Sequence, residues 1–187
     1  MWRYDGHVKT IGIPSGEHKL REAEFFYRLM KQNVRRSLDF PYYTSAFLSA
    51  LKSCTEHNRL YSRDPRFKDW FRDRSKTHLG HPDLRLLFSL RNTEVHQAGA
   101  DGYELVGFEL PRGLTLKEVE VKSELRNGES IVVCRLPGEA EFSEAKNQSH
   151  EWIWNVEGRP NVLELSYCGL NVVREVIDSH RAMKFQD

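Results

Sequence analysis

At Gly99 the hydrophobic pattern of this chain changes period, and nothing else in the sequence constrains the fold as strongly. Before it, apolar residues recur three and four apart, as one face of an α-helix requires; after it they alternate with polar ones, as a half-buried strand requires. The spacing of Leu20, Ala23, Phe26, Tyr27, Met30 and Val34 predicts a helix over 17–36. Tyr43, Phe47, Ala50, Leu51 and Cys54 predict a second over 41–60, with Pro41 in the tolerated first turn. Asp64-Pro65 begins a third, shorter helix holding Phe67, Trp70 and Phe71. Gly80-His81-Pro82 breaks it and starts a fourth at about 82–97, with Leu84, Leu87, Phe88 and Leu90.

Beyond Gly99, Leu105, Gly107 and Glu109, then Val119, Val121 and Ser123, then Ile131 and Val133, read as strands. Asn127-Gly128 lies between two of these runs and is the strongest short hairpin signal available. Trp152–Val156 reads as a further strand. Asn161 and Glu164 have capping-box spacing and open a closing helix with the stripe Leu163, Tyr167, Leu170, Val173, Ile177 and His180. Residues 100–158 are therefore expected to form a small antiparallel sheet inserted before the last helix. The whole of 1–187 is expected to be one domain, with a helical core over 17–98 and 160–184.

Charge is unevenly spread. Residues 1–98 carry 18 Lys and Arg against 11 Asp and Glu, whereas 99–187 carry 10 against 16. A basic half suits a polyanion and an acidic half suits a protein partner. The three cysteines, Cys54, Cys134 and Cys168, are scattered and form no zinc-like cluster; Cys54 and Cys168 fall on apolar helix faces, where a thiol packs as a small hydrophobe. No apolar run marks a signal peptide or a membrane span, so a reducing, cytoplasmic setting is expected.

Two segments carry candidate chemistry. The first is Arg91-Asn92 followed by His96 at the end of the fourth helix. Histidine titrates near neutrality and guanidinium grips phosphate oxygens in pairs, a combination sufficient to cleave RNA without a metal. Asn92 and His96, four apart, share a helix face, so the amide can orient the imidazole. Arg91 lies about 140° round the helix from His96, a layout better suited to two facing copies than to one chain. The second segment, Arg59 to Lys76, sets Arg63, Arg66, Arg72 and Arg74 among Tyr61, Phe67, Trp70 and Phe71. It is the expected RNA-facing surface, although the aromatics also have core spacing. His78, His81 and Asp83 lie close in sequence, but a turn with Asp83 at a helix start explains them more cheaply than a metal. No metal and no cofactor are expected.

The Arg91–His96 spacing, with a polar residue after the arginine, resembles the Arg-x4-6-His motif of HEPN (higher eukaryotes and prokaryotes nucleotide-binding) domains. The helix order is similar too, over some 120 residues. The resemblance implies a mostly α (α+β) fold, an antiparallel helical bundle carrying the sheet as an insertion, and a homodimer whose motif helices line a cleft. It also implies a metal-independent endoribonuclease with His96 as general acid or base, Arg91 on the phosphorane oxygens and Asn92 positioning. A toxin or phage-defence effector held in check by an antitoxin or regulatory protein follows from the same likeness. A non-catalytic module of that type, binding a nucleotide or a partner protein, is the alternative.

Overall fold

The computed structural model describes residues 16–61, 69, 72–73, 80–97 and 102–184. Four helices and five strands are formed among them. The order is α1 (Gly16–Gln32), α2 (Phe40–Tyr61), α3 (Pro82–Gln97), β1 (Gly102–Glu109), β2 (Glu120–Arg126), β3 (Glu129–Arg135), β4 (Ser143–Glu144), β5 (Lys146–Trp154) and α4 (Val162–Lys184). The helix expected after Asp64 falls largely outside the described residues. No described helix is long and apolar enough to cross a membrane.

Local signals set most boundaries. Asn161 Oδ1 accepts the backbone N–H groups of Leu163 (2.9 Å) and Glu164 (3.2 Å), capping α4 where the capping-box spacing places it. Asn127 and Gly128 adopt φ of 53° and 83°, the left-handed pair of a two-residue turn joining β2 to β3. The first helix stops at Gln32, short of the expected Arg36. Asn33 turns back to donate its side-chain amide to Leu29 O, and Arg36 leaves the helix to bridge Glu129.

The expected helical bundle with an appended sheet is not what forms. The protein is α+β, with two small antiparallel sheets, β1-β5 and β2-β3-β4. The strands complete the helical core instead of standing outside it. Trp152 and Trp154 of β5 are buried among Phe40, Phe47, Leu51, Leu84, Leu87, Leu165 and Val173. Trp152 also donates its indole N–H to Val34 O at 2.8 Å. Burying two indoles removes more apolar surface from water than any aliphatic pair at this interface, so helices and strands share one core.

β5 and β4 are one bent strand that changes sheets. Its inward face presents Trp154 and Trp152 to the helices, then His150, then Gln148 toward β3. At the bend Asn147 has φ of 51°. Gln148 fills the gap in the ladder: its Oε1 accepts Val132 N–H (2.7 Å), and its Nε2 donates to Val132 O (3.2 Å) and Ala145 O (3.0 Å). A second apolar cluster forms beyond the bend from Val119, Val132, Cys134 and Ala145, backed by Val106 and Phe108.

Gly169 allows α4 to seat against α3. A Cβ there would collide with Leu87 Cδ1 and meet Leu51 and Leu84 at 3.5 and 3.6 Å. Arg174 pairs with Glu24 at 2.9 Å and ties the same helix to α1. Cys54 is buried as expected, but Cys168 is exposed. Tyr167 beside it is also exposed and stacks on Tyr27, because the buried stripe of α4 runs through Leu165, Gly169 and Val172 instead.

Candidate functional site

The buried stripe of α3 runs Leu84, Leu87, Leu90, and Arg91 continues it one turn further, four residues after Leu87. That position explains the arginine's state. Its stem is drawn toward the core, and its Nε is sealed from solvent with no hydrogen-bond partner. No carboxylate among the described residues pairs with it. An unpartnered buried donor on a charged group costs free energy, and the partly exposed remainder of the side chain is what an acceptor from outside can reach.

Asn92 is exposed on the neighbouring stripe of α3, which contains Phe88, Asn92 and His96 at intervals of four. The backbone of His96 lies in the helix; its side chain is outside the described ones, as is that of His180. Lys52 of α2 places its Nζ over the Phe88 ring, 4.4 Å from the centroid. Lys52 therefore stands beside the stripe that leads through Asn92 to His96, while Arg91 lies on the adjacent, more buried stripe. Lys52 has no signal in the sequence. It is one more charged residue on an amphipathic helix, and only the packing of α2 on α3 brings it to Phe88.

The expected RNA-facing arginines fare differently. Arg63, Arg66 and Arg74 lie outside the described residues. Arg72 is exposed and held by its own neighbours, Asp69 (3.1 Å) and Asp73 (3.7 Å). His81 and Asp83 stand 3.9 Å apart, beyond hydrogen-bond reach, and His78 is outside the described residues.

A polar cluster that sequence reasoning missed lies where the α1–α2 loop meets both sheets. Glu104 of β1 and His150 of β5 are diagonal neighbours on the inward face. Their side chains are almost fully buried, 9% and 2% exposed, with His150 Nδ1 2.8 Å from Glu104 Oε1. Ser37 donates to Glu104 Oε2 (2.7 Å), lies 2.5 Å from Ser130 Oγ, and accepts Ser130 N–H (3.2 Å). His150 Nε2 is buried without a partner. Ser37 binds the carboxylate rather than the free imidazole nitrogen, so the cluster lacks the order of a nucleophilic triad. Its chemistry is that of a tie, joining the loop, β1, β3 and β5. The sequence carried one weak signal for it, a Glu and a His at inward positions of alternating strands.

No family model, curated protein or solved structure matches the chain. The likeness to HEPN domains therefore rests on the Arg91–His96 motif and the helix order read from the sequence.

Proposed function

We propose that the protein acts on RNA at the end of α3, with Arg91 holding a phosphate and His96 moving a proton, and that it needs no metal for the step. Arg91 carries this reading: it is partly exposed on α3, and no carboxylate among the described residues pairs with it. A guanidinium without a carboxylate partner is a phosphate group's natural counterpart, and Lys52, over Phe88 about one turn earlier, adds a positive charge on the same stretch of α3. The reaction is attack of the ribose 2′-hydroxyl on the adjacent phosphorus. The O2′–P bond forms, the P–O5′ bond breaks, and the products are a 2′,3′-cyclic phosphate and a free 5′-hydroxyl. His96 takes the 2′-hydroxyl proton or supplies one to the departing 5′ oxygen, while Arg91 steadies the charge on the phosphorane oxygens. The reading stands on these side chains and not on any bundle architecture.

The test is cleavage of single-stranded RNA by purified protein in EDTA. Wild type is expected to leave cyclic-phosphate ends, and His96→Ala and Arg91→Ala each to lose activity by about two orders of magnitude or more. Cleavage surviving in both variants excludes the site. Wild type that binds RNA or nucleotide through Arg91 but never cleaves would make the protein a binding module.

A further inference from the structure

The outer edge of β2 is open among the described residues, and its sequence is Glu120-Val-Lys-Ser-Glu-Leu-Arg126. Six of the seven residues are exposed, including Val121 and Leu125 at 38% and 55%. The other edge of β3 is covered along its length by Arg36, Ser37, Gln148 and β4. β1 is blunted differently, by the register shift between Gly107 and Glu109. β2 has neither protection: it is regular over its full pairing with β3.

We propose that β2 is a homodimer edge, pairing antiparallel with β2 of a second copy about a twofold axis at Ser123, to make one continuous six-stranded sheet. The backbone allows it. In a two-residue hairpin the residues flanking the turn exchange both hydrogen bonds, so Arg126, Glu124, Lys122 and Glu120 point their amide and carbonyl groups toward β3. Val121, Ser123 and Leu125 consequently point theirs outward. With Ser123 opposite its own copy, those three residues face one another across the axis, and each outward donor meets an outward acceptor.

The side chains select that register. Glu120 falls opposite the second copy's Arg126, Lys122 opposite Glu124, and Val121 opposite Leu125. Sliding the strands by two residues in one direction sets Glu120 against Glu124 and Lys122 against itself. In the other direction, Lys122 meets Arg126 and Glu124 meets itself. Like charges directly opposite one another are destabilising, so both alternatives are disfavoured. Val121 and Ser123 lie across from Cys134 and Val132, which belong to the second apolar cluster. The Val121–Leu125 contacts would extend that cluster across the axis.

The charges have partners within the chain at present. Arg126 pairs with Glu124 at 2.8 Å, Arg135 with Glu120, and Lys122 sits 3.4 Å from the Phe142 ring centroid. The ion pairs are exposed on both sides and weakly held, so an opposite charge across the axis adds to them or replaces them at little cost. The inference does not depend on the RNA reading, since no residue of α3 enters it.

Sedimentation equilibrium over a concentration series tests the edge. Wild type is expected to form a reversible dimer. Lys122→Glu and Glu124→Lys are each expected to weaken it at least about tenfold, a loss of about 1.4 kcal/mol of association free energy. The double variant restores opposite signs across the axis and is expected to recover most of the lost affinity. Far-UV circular dichroism confirms folding of each variant. Ser123→Cys in a Cys168→Ser background is expected to form a disulfide with its own copy on mild oxidation, since paired positions on adjacent strands lie within disulfide reach. Wild type that stays monomeric throughout overturns the proposal. So does a dimer indifferent to both charge reversals, or one in which the double variant is no tighter than the single ones.

Discussion

Trp152 of β5 lies flat against Phe40, the first residue of α2, with ring centroids 4.6 Å apart and planes 11° from parallel. The indole closes the helical core from the strand side. At the same time its N–H holds the carbonyl of Val34 in the loop that leads into α2. One side chain from the β-rich segment thus fixes both the start of a helix and the path of the chain before it.

Helices and strands should therefore unfold together. Trp152→Ala is expected to cost about 3–5 kcal/mol, the range for emptying a large aromatic site. Trp152→Phe keeps the stack but leaves Val34 O unsatisfied, at about 1–3 kcal/mol. Urea titrations followed by far-UV circular dichroism and tryptophan fluorescence should coincide in each variant. Separate transitions would mean that the strands form an independent appendage.

Gly169 should tolerate no side chain while Leu87 remains full-sized. Gly169→Ala is expected to destabilise by about 1–3 kcal/mol through overpacking. Leu87→Ala alone should cost about 2–5 kcal/mol through its cavity. Together they should cost less than the sum of the two, because the new methyl enters the space that Leu87 vacates. Simple additivity in the denaturation midpoints would refute the close approach of α4 to α3.

The buried Glu104–His150 tie makes a graded prediction. Glu104→Gln keeps an acceptor for the imidazole N–H and a donor toward Ser37, so it should cost little more than one ordinary hydrogen bond, about 1 kcal/mol. Glu104→Ala leaves His150 and Ser37 without their buried partner and should cost about 3 kcal/mol or more. Equal losses in thermal denaturation would show that the carboxylate charge, which both variants remove, holds the cluster, and not the hydrogen bonds that Gln keeps.

Burial pushes the Cys54 thiol up to about 12 from its usual 9.0. The folded protein therefore keeps a proton that the unfolded chain releases above about pH 9. The stabilisation is complete below that value and falls by about 1.4 kcal/mol per pH unit until the folded thiol itself ionises. Tyr27, also raised by burial, acts in the same direction. Cys54→Ala should flatten the alkaline decline in stability between pH 9 and 12 relative to wild type. At pH 8, iodoacetamide should modify exposed Cys168 well before buried Cys54 and Cys134. Faster labelling of Cys54 than Cys168 would contradict the packing of α2.

Much of the architecture was legible in residues close together along the chain. The start of α3, the Asn161 cap and the Asn127-Gly128 hairpin depend on backbone geometry and hydrogen bonds within a few positions, and they stand where the sequence puts them. The self-complementary charge pattern of β2, opposite in sign on either side of Ser123, is likewise a local property, although its meaning waited on the hairpin register. What only the tertiary structure decided was which apolar faces meet. Residues 100–158 read as an insertion because alternation tells which face of a strand is apolar but not what covers it. Trp152 and Trp154 in fact finish the helical core. Cys168 and Tyr167 sit on a helical stripe that the pattern counts as buried, and α1 leaves them exposed. Lys52 reaches Phe88, and His150 reaches Glu104 46 residues earlier, by contacts that exist only once helices and sheets have packed. Periodicity records each residue's own preference for water, while the partner that satisfies it is chosen by the shape of the whole chain.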